Sequence, residues 1–344
     1  MTVLGATRNY FLKILGRTGV YHKAWHLPPP AAVVLCYHDI CEDNDYASWL
    51  RIKRSAFITQ LQKFKEIGHF LRPDELWQPE RWHPDKLNIL LTFDDGYANN
   101  YALAFPLLQK FDIPALFFVS TWNISSGEAF WFDRVVCAIQ ENRLTDLDLQ
   151  PQGLRRYRLP IVDDSRRWDS IQTILEDLKS IGNASHPTVQ AALDRLDPGG
   201  GSSCGGNCYQ PLDAANILEM HHSGLCFFGS HSHRHDILTL LGAEDLQHNL
   251  AVSRQVLENL LGVPIEHISY PNGNVDARVS DACKETGYRF GYLTLPGEVL
   301  PDLDPLHVPR FLVGGYDSID ALMWRIGKLL VARRLSLRFG GGNG

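Results

Sequence analysis

No stretch of this chain supplies the roughly 18 consecutive apolar residues that a membrane-spanning helix needs. The N-terminal segment also lacks the pattern of a secretory signal. Its apolar run, Tyr10 to Leu15, is interrupted by Lys13, whereas the apolar region of a signal takes about 7–15 residues. The expected location is therefore the cytoplasm. Cysteine is sparse and odd in number, seven in 344 residues, which fits a reducing compartment. Cys204 and Cys208 lie close together in a glycine-rich stretch. Two thiols alone make a poor metal site, so a flexible surface loop is expected there rather than a metal pair or a disulfide. Positive charge is in deficit, with 33 basic against 39 acidic side chains and a net charge of −6. That balance argues against a nucleic-acid partner. There is no internal repeat.

Acidic residues are missing altogether from the two ends. Residues 1–38 hold Arg8, Lys13, Arg17 and Lys23 with no acidic side chain. Residues 321–344 hold Arg325, Lys328, Arg333, Arg334 and Arg338, again with none. Phe11, Ile14, Leu15, Thr18, Tyr21 and Trp25 follow helical spacing and predict a basic amphipathic helix within residues 1–30, ended by Pro28 to Pro30. Ile319, Leu322, Met323, Ile326, Leu329 and Leu330 predict a second basic helix within residues 316–344. Such helices suit an anionic membrane surface, which would place the protein peripherally at the inner membrane face. The alternative is that both pack on the domain with their charges in water.

Between the ends, strands and helices alternate. Apolar runs predict strands over 31–36, 87–93, 115–120, 225–229, 265–270 and 288–294. Helical patterns cover 55–67, 99–110, 243–261 and 280–286. This is an α/β pattern with a mainly parallel sheet. The chemistry-bearing residues follow strands directly, and that placement favours a barrel over an open sheet. Residues 31–134 and 214–315 form this body. Residues 135–213 break the pattern. Two helices, around Trp168 to Leu178 and Pro187 to Leu196, and a Gly/Ser-rich stretch over 197–208 predict an insertion beside the mouth of the site.

The most informative residues are Asp94 and Asp95, read together with His231 and His235. The mostly apolar run Ile89 to Phe93 ends abruptly in two carboxylates and Gly96, which delivers acidic side chains to the rim of a sheet. His231 and His235 are four apart, and on one helical turn they would share a face and close on one ion. A carboxylate with two imidazoles and an open position is the ligand set of a hydrolytic metal centre. It suits one divalent ion, zinc first, with nickel, cobalt or iron as alternatives.

Thr92-Phe93-Asp94-Asp95-Gly96-Tyr97 followed by His231-Ser232-His233-Arg234-His235 resembles the polysaccharide deacetylases of the NodB-homology type. The resemblance runs from about Val33 to Val313. Val34-Leu35-Cys36-Tyr37-His38 resembles the opening strand of the family, Ile113 to Val119 the strand after the Asp-Asp motif, and Phe130 to Arg134 a segment of members linked to surface polysaccharide synthesis. Tyr270-Pro271-Asn272-Gly273 stands where the third motif falls.

The resemblance implies an irregular (β/α) barrel, commonly of seven strands. It implies Asp95, His231 and His235 as metal ligands and Asp94 as the general base. Two histidines compete as general acid. His307 follows Leu306 late in the chain, where most members carry this residue. His38 ends the first strand, as in relatives with permuted motifs, and is preferred for that strand context. The third motif departs from the family pattern, because Ser269 replaces an arginine and Asn272 an aromatic residue. The Asn272 backbone N–H can still serve the oxyanion. Arg310 is a candidate substitute for the lost arginine, with an ordinary ion-pair role as the alternative. Tyr97, Trp131, Phe132 and Tyr270 are candidate sugar-binding aromatics, or core. Asp133 and Arg134 are expected to pair and fix the start of the insertion.

The implied activity is removal of N-acetyl groups from amino sugars of a polysaccharide or a lipid-linked saccharide precursor. An O-acetyl esterase acting on a glycan, and a non-catalytic glycan-binding protein, are the alternatives.

Overall fold

The computed structural model describes residues 30–46, 48–141, 144–161, 164–196 and 209–339. The expected N-terminal helix, the stretch 197–208 with Cys204 and Cys208, and the side chains of Arg333, Arg334 and Arg338 lie outside the described residues.

Seven strands make the frame. They are β1 (Ala32–Tyr37), β2 (Leu87–Phe93), β3 (Ala115–Val119), β4 (Cys226–Ser230), β5 (His267–Ser269), β6 (Phe290–Tyr292) and β7 (Phe311–Leu312). Their order in the sheet is β6-β5-β4-β3-β2-β1-β7, and every neighbouring pair is parallel. Every residue of β1, β2 and β3 is buried, the sign of a parallel strand covered on both faces. An extra short strand, Gly68–Phe70, pairs with the first half of β2. Tyr292, at the end of β6, forms a parallel bridge with Val308 in the segment that leads into β7. Leu293 N donates to Val308 O, and Val308 N to Gly291 O, both at 2.8 Å. The expected seven strands and α/β class are therefore present, as a mostly parallel sheet curved into a half-barrel, with one isolated bridge and no ladder among the described residues on the β6–β7 side.

Side chains alternate along each strand. One set, with Ala32, Val34, Leu90, Leu116, Phe118 and Tyr292, fills the interior. The other, with Val33, Leu35, Ile89, Leu91 and Phe117, packs against the surrounding helices. Helix α1 (Arg54–Ile67) covers that outer face with Phe57, Leu61 and Phe64, spaced four and three apart. Each such side chain contributes about 1.5–3 kcal/mol by burial. Helix α2 (Ile319–Phe339) contacts α1 and buries Leu322, Ile326 and Leu330 in the same cluster. Of the two readings of that apolar stripe, packing on the barrel is the one realised. Among the described residues no helix is long and apolar enough to cross a membrane.

The insertion folds around its own apolar cluster. It contains α3 (Trp131–Glu141), a hairpin of Asp146–Asp148 with Arg156–Arg158, α4 (Asp164–Ile181) and α5 (Pro187–Leu196). Val135, Ile139, Ile171, Ile174, Leu178, Val189 and Leu193 form its centre. The two expected helices are there. The hairpin was not expected, because its strands are three residues long and mostly charged. An Arg156–Asp146 pair at 2.8 Å and buried Leu147 and Tyr157 hold it. The unit begins earlier than residue 135, since α3 starts at Trp131 and Phe130 already belongs to its cluster. Cys36, Cys41, Cys226 and Cys283 are free and buried. Cys137 is disulfide-bonded.

Candidate active site

The strand registers bring the chemistry to one rim. Tyr37 pairs with Phe93, and Val119 with Ser230. The residues that follow these strands, His38, Asp94 and His231, therefore emerge in one layer at the carboxyl ends. Asp95 and Gly96 take positive φ, 72° and 81°. A Cβ on Gly96 would stand 2.7 Å from Val119 Cγ1, so this turn requires glycine.

His231 and His235 are not on a helix. They sit in the loop after β4, with Ser232 at φ 64° and His235 at φ 54°. The expected helical turn is replaced by a braced loop. His233 N donates to Asn249 Oδ1 at 2.7 Å, and Ser120 Oγ donates to His233 O at 3.0 Å. The two imidazoles still converge, with their Nε2 atoms 3.3 and 3.2 Å from Asp95 Oδ1.

These three residues fit a divalent ion. One donor atom from each lies within 4.8 Å of the others. His231 Nδ1 is 2.9 Å from Ser269 O. A carbonyl only accepts, so Nδ1 carries a proton, and Nε2, once deprotonated, could offer its lone pair to an ion shared with Asp95. Phe130 and Phe132 flank the ring of His235, both with centroids 5.1 Å away. Burial opposes the charge on Asp95, but hydrogen bonds from His231 and His235 hold its carboxyl well below the usual range. Two imidazoles and a buried carboxylate aimed at one point repel unless positive charge lies between them.

Asp94 is built differently. Arg310 clamps it with two bonds, Nη1 to Oδ1 at 2.7 Å and Nη2 to Oδ2 at 2.6 Å. Ser269 Oγ donates to Oδ2 at 3.0 Å, and Cys36 Sγ reaches the same oxygen at 3.5 Å. Arg310 is in turn fixed by Thr92 Oγ1 at 3.1 Å and Leu293 O at 2.8 Å. Burial alone would raise the Asp94 carboxyl, and the Arg310 guanidinium more than reverses this, leaving it below the usual range. Arg310 thus takes the place of the arginine missing at Ser269, and Ser269 itself joins the clamp.

His38 is 8% exposed, lines the cavity, and its Nδ1 has no hydrogen-bond partner. Burial pushes its imidazole below the ordinary value, against the pull of Asp95 and Asp94. His307 is not brought to the site. It lies in a 3₁₀ turn, bonds Asp304 Oδ2 at 2.8 Å, and is absent from the cavity wall. Asn272 lines the cavity in a left-handed conformation, φ 59°, and its Oδ1 accepts from Lys179 Nζ at 2.9 Å.

Trp131 and Phe132 line the cavity and are half-buried. Tyr97 and Tyr270 reach its wall as core residues. Tyr97 Oη donates to Asp133 Oδ2 at 2.9 Å, and Tyr270 Oη to Leu306 O at 3.0 Å. Asp133 forms no ion pair with Arg134. Burial and the nearby Asp95 push its carboxyl well above the usual range, and the Tyr97 hydroxyl takes the place of the expected cation. The cavity, about 260 Å³, also includes groups that sequence reasoning missed: Asp39, Arg51, Trp168 and Lys179. Lys179 lies 93 positions from Asn272, and no local pattern announces such a contact.

The sequence pattern of the polysaccharide deacetylases matches residues 83–192 and 201–291, more than half of the chain. The protein belongs to the polysaccharide deacetylase family and is a hydrolase of that kind. YxkH of Bacillus subtilis (strain 168), a protein assigned by its name to the polysaccharide deacetylases, is 22% identical over 277 residues, 80% of this chain and 68% of that protein. A poly-beta-1,6-N-acetyl-D-glucosamine N-deacetylase of Escherichia coli (strain K12) is 29% identical over 102 residues, only 28% of this chain and 15% of that protein. Among solved structures, the Streptococcus pyogenes deacetylase PplD in complex with acetate shares the fold. Its TM-score is 0.56 at 19% identity, covering 86% of this chain and 97% of that one.

Proposed function

We propose that this protein is a metal-dependent hydrolase that removes N-acetyl groups from amino sugars of a polysaccharide or its lipid-linked precursor. The observation that carries the reading is the division of labour between neighbours. Asp95 converges with His231 and His235, while Asp94 is turned away into the Arg310 clamp within the same cavity. A divalent ion held by Asp95, His231 and His235 would polarise the acetamide carbonyl and acidify water.

The remaining steps belong to side chains. Asp94 Oδ2 already accepts from Arg310, Ser269 and Cys36. Among the described residues, Oδ1 accepts only from Arg310 Nη1 and keeps a lone pair. Oδ1 is therefore the atom that takes the proton of the attacking water. Arg310 keeps the carboxylate ionised and oriented for this. His38, protonated from solvent beforehand, would give that proton to the departing amine as the C–N bond breaks and return to the neutral imidazole that its burial favours. The Asn272 N–H supports the developing oxyanion.

Acetate release from N-acetylglucosamine oligomers and lipid-linked N-acetylglucosamine tests this reading. Chelation should abolish release and added divalent ion should restore it. Asp94→Asn should lower kcat by about 10²–10⁴-fold with bound metal retained. Release from O-acetylated but not N-acetylated sugars would instead assign an esterase. Metal retained without turnover of any acetylated sugar would assign a binding protein.

Contact with an anionic membrane surface at the cytoplasmic face belongs to the same proposal. It rests on the basic ends alone, since Leu322, Ile326 and Leu330 are spent on the barrel. Flotation with phosphatidylserine vesicles at low salt, lost at high salt, is the expected result. Absence of binding at low salt removes the idea.

A further inference from the structure

Two arginines are among the largest fully buried side chains, Arg310 and Arg51. Arg310 is saturated by the Asp94 clamp. Arg51 is not. Its Nε donates to Asp39 Oδ2 at 2.7 Å, and Nη2 reaches Asp45 Oδ2 only at 3.5 Å. Its Nη1 is buried with no hydrogen-bond partner. An unsatisfied buried donor is costly, and this one belongs to a residue that lines the cavity holding Asp94, Asp95, His231 and His235.

The guanidinium is also held rigidly. The ring of Tyr46 lies 4.6 Å from its central carbon and that of Tyr209 lies 5.2 Å away. The hydroxyls of these two tyrosines are joined at 2.8 Å. A fixed cation with one spare donor is preorganised for an acceptor. Next to it, the rings of Trp49 and Trp168 meet edge to face at 5.2 Å, and Trp168 also meets Tyr46 at 5.5 Å. Trp49 and Arg51 come from the barrel, and Trp168 from the insertion. All three line the cavity.

We propose that Arg51, Trp49 and Trp168 form a second saccharide subsite, where Arg51 Nη1 donates to a neutral oxygen of the sugar adjoining the one deacetylated. This rests on the deacetylase reading above and adds to it the residues that would hold the neighbouring sugar of the chain. The acceptor is neutral because Asp39 already balances Arg51. An anion would also meet Asp39 and Glu176 on the same wall. A hydroxyl or an acetamide carbonyl requires only the one spare donor, while the indole faces suit the apolar side of a sugar ring. On this reading the insertion is a specificity element, because without α4 the subsite loses Trp168.

The test compares N-acetylglucosamine with its β-1,6- and β-1,4-linked pentamers, by calorimetric binding and by acetate release. Wild type should prefer one pentamer over the monosaccharide by at least about ten-fold in kcat/KM. Two variants are compared: Arg51→Gln combined with Asp39→Asn, which removes both buried charges together, and Trp49→Leu, which leaves the ion pair intact. Each should lower the pentamer-to-monomer ratio about ten-fold, chiefly through KM, and weaken pentamer binding to match. An equal loss for pentamer and monomer, or no pentamer preference in wild type, overturns the subsite. If the double variant does not fold, Trp49→Leu decides alone. If wild type releases no acetate from any sugar, the deacetylase reading falls, and calorimetry still decides the subsite. Pentamer binding weakened by the variants upholds it. Unaltered binding, or none by wild type, overturns it.

Discussion

At the scale of single residues, adjacent carboxylates acquire opposite tasks from their partners. Asp94 and Asp95 are chemically identical and one bond apart in the backbone, yet one meets a guanidinium and the other two imidazoles. The turn at positive φ separates them, because it points consecutive side chains in different directions. Arg310 is therefore as consequential as the carboxylate it holds. Arg310→Met would leave Asp94 buried without a counter-charge, and removing one member of a buried pair costs about 3–5 kcal/mol. Urea denaturation should show a loss of that size. A midpoint within about 0.5 kcal/mol of wild type would mean that the clamp is not structural. The motif pair Asp94-Asp95 and His231-His235 was visible in the sequence as short contiguous strings. The identity of Arg310 as the clamp was only one of two options there, since it stands 216 positions from Asp94.

At the scale of elements, the insertion is a small unit leaning on the barrel through the site. Its cluster reaches Tyr97 directly after the Asp-Asp turn, and Arg167 ties α4 to the end of α3 by donating to Ile139 O at 2.5 Å and Leu144 O at 2.8 Å. Ile171 is fully buried at the centre of this cluster. Ile171→Ala should cost about 2–5 kcal/mol locally. Hydrogen exchange should show faster exchange in α3, α4 and α5 with little change in β1 to β3. Uniform acceleration across both would show that the insertion and the barrel unfold as one. The two helices of the insertion were legible from their apolar spacing. Its hairpin was not, because strands of three residues with charged ends carry no period-two signal.

At the scale of the whole molecule, seven parallel strands and their helices set a rigid rim, and stability has its own dependence on pH. His267 is packed against Phe290 at 4.8 Å and lies 3.1 Å from Tyr292 Oη. Burial, with Arg289 nearby, pushes its imidazole down to about 3. The folded state thus holds it neutral, whereas the unfolded chain protonates near 6.5. Its stability contribution is complete above that value and is lost as pH falls from about 6.5 toward 3. Between pH 7.5 and 4.5 the loss assigned to this residue should be on the order of 2 kcal/mol. His267→Gln should flatten the acid limb of the urea-midpoint profile, and an unchanged limb would assign the acid sensitivity elsewhere. The sequence by itself determined the strand–helix alternation, the α/β class and the four residues of the two motifs. Those features are written in apolar runs and short strings, so neighbours along the chain carry them. Only the tertiary structure decided that the histidines converge from a loop, that His38 rather than His307 faces the cavity, and that Arg310, Arg51 and Lys179 complete its wall. Each of those depends on strand register and on contacts between distant segments, and a contact that spans 90 or more positions leaves no periodicity in the residues between.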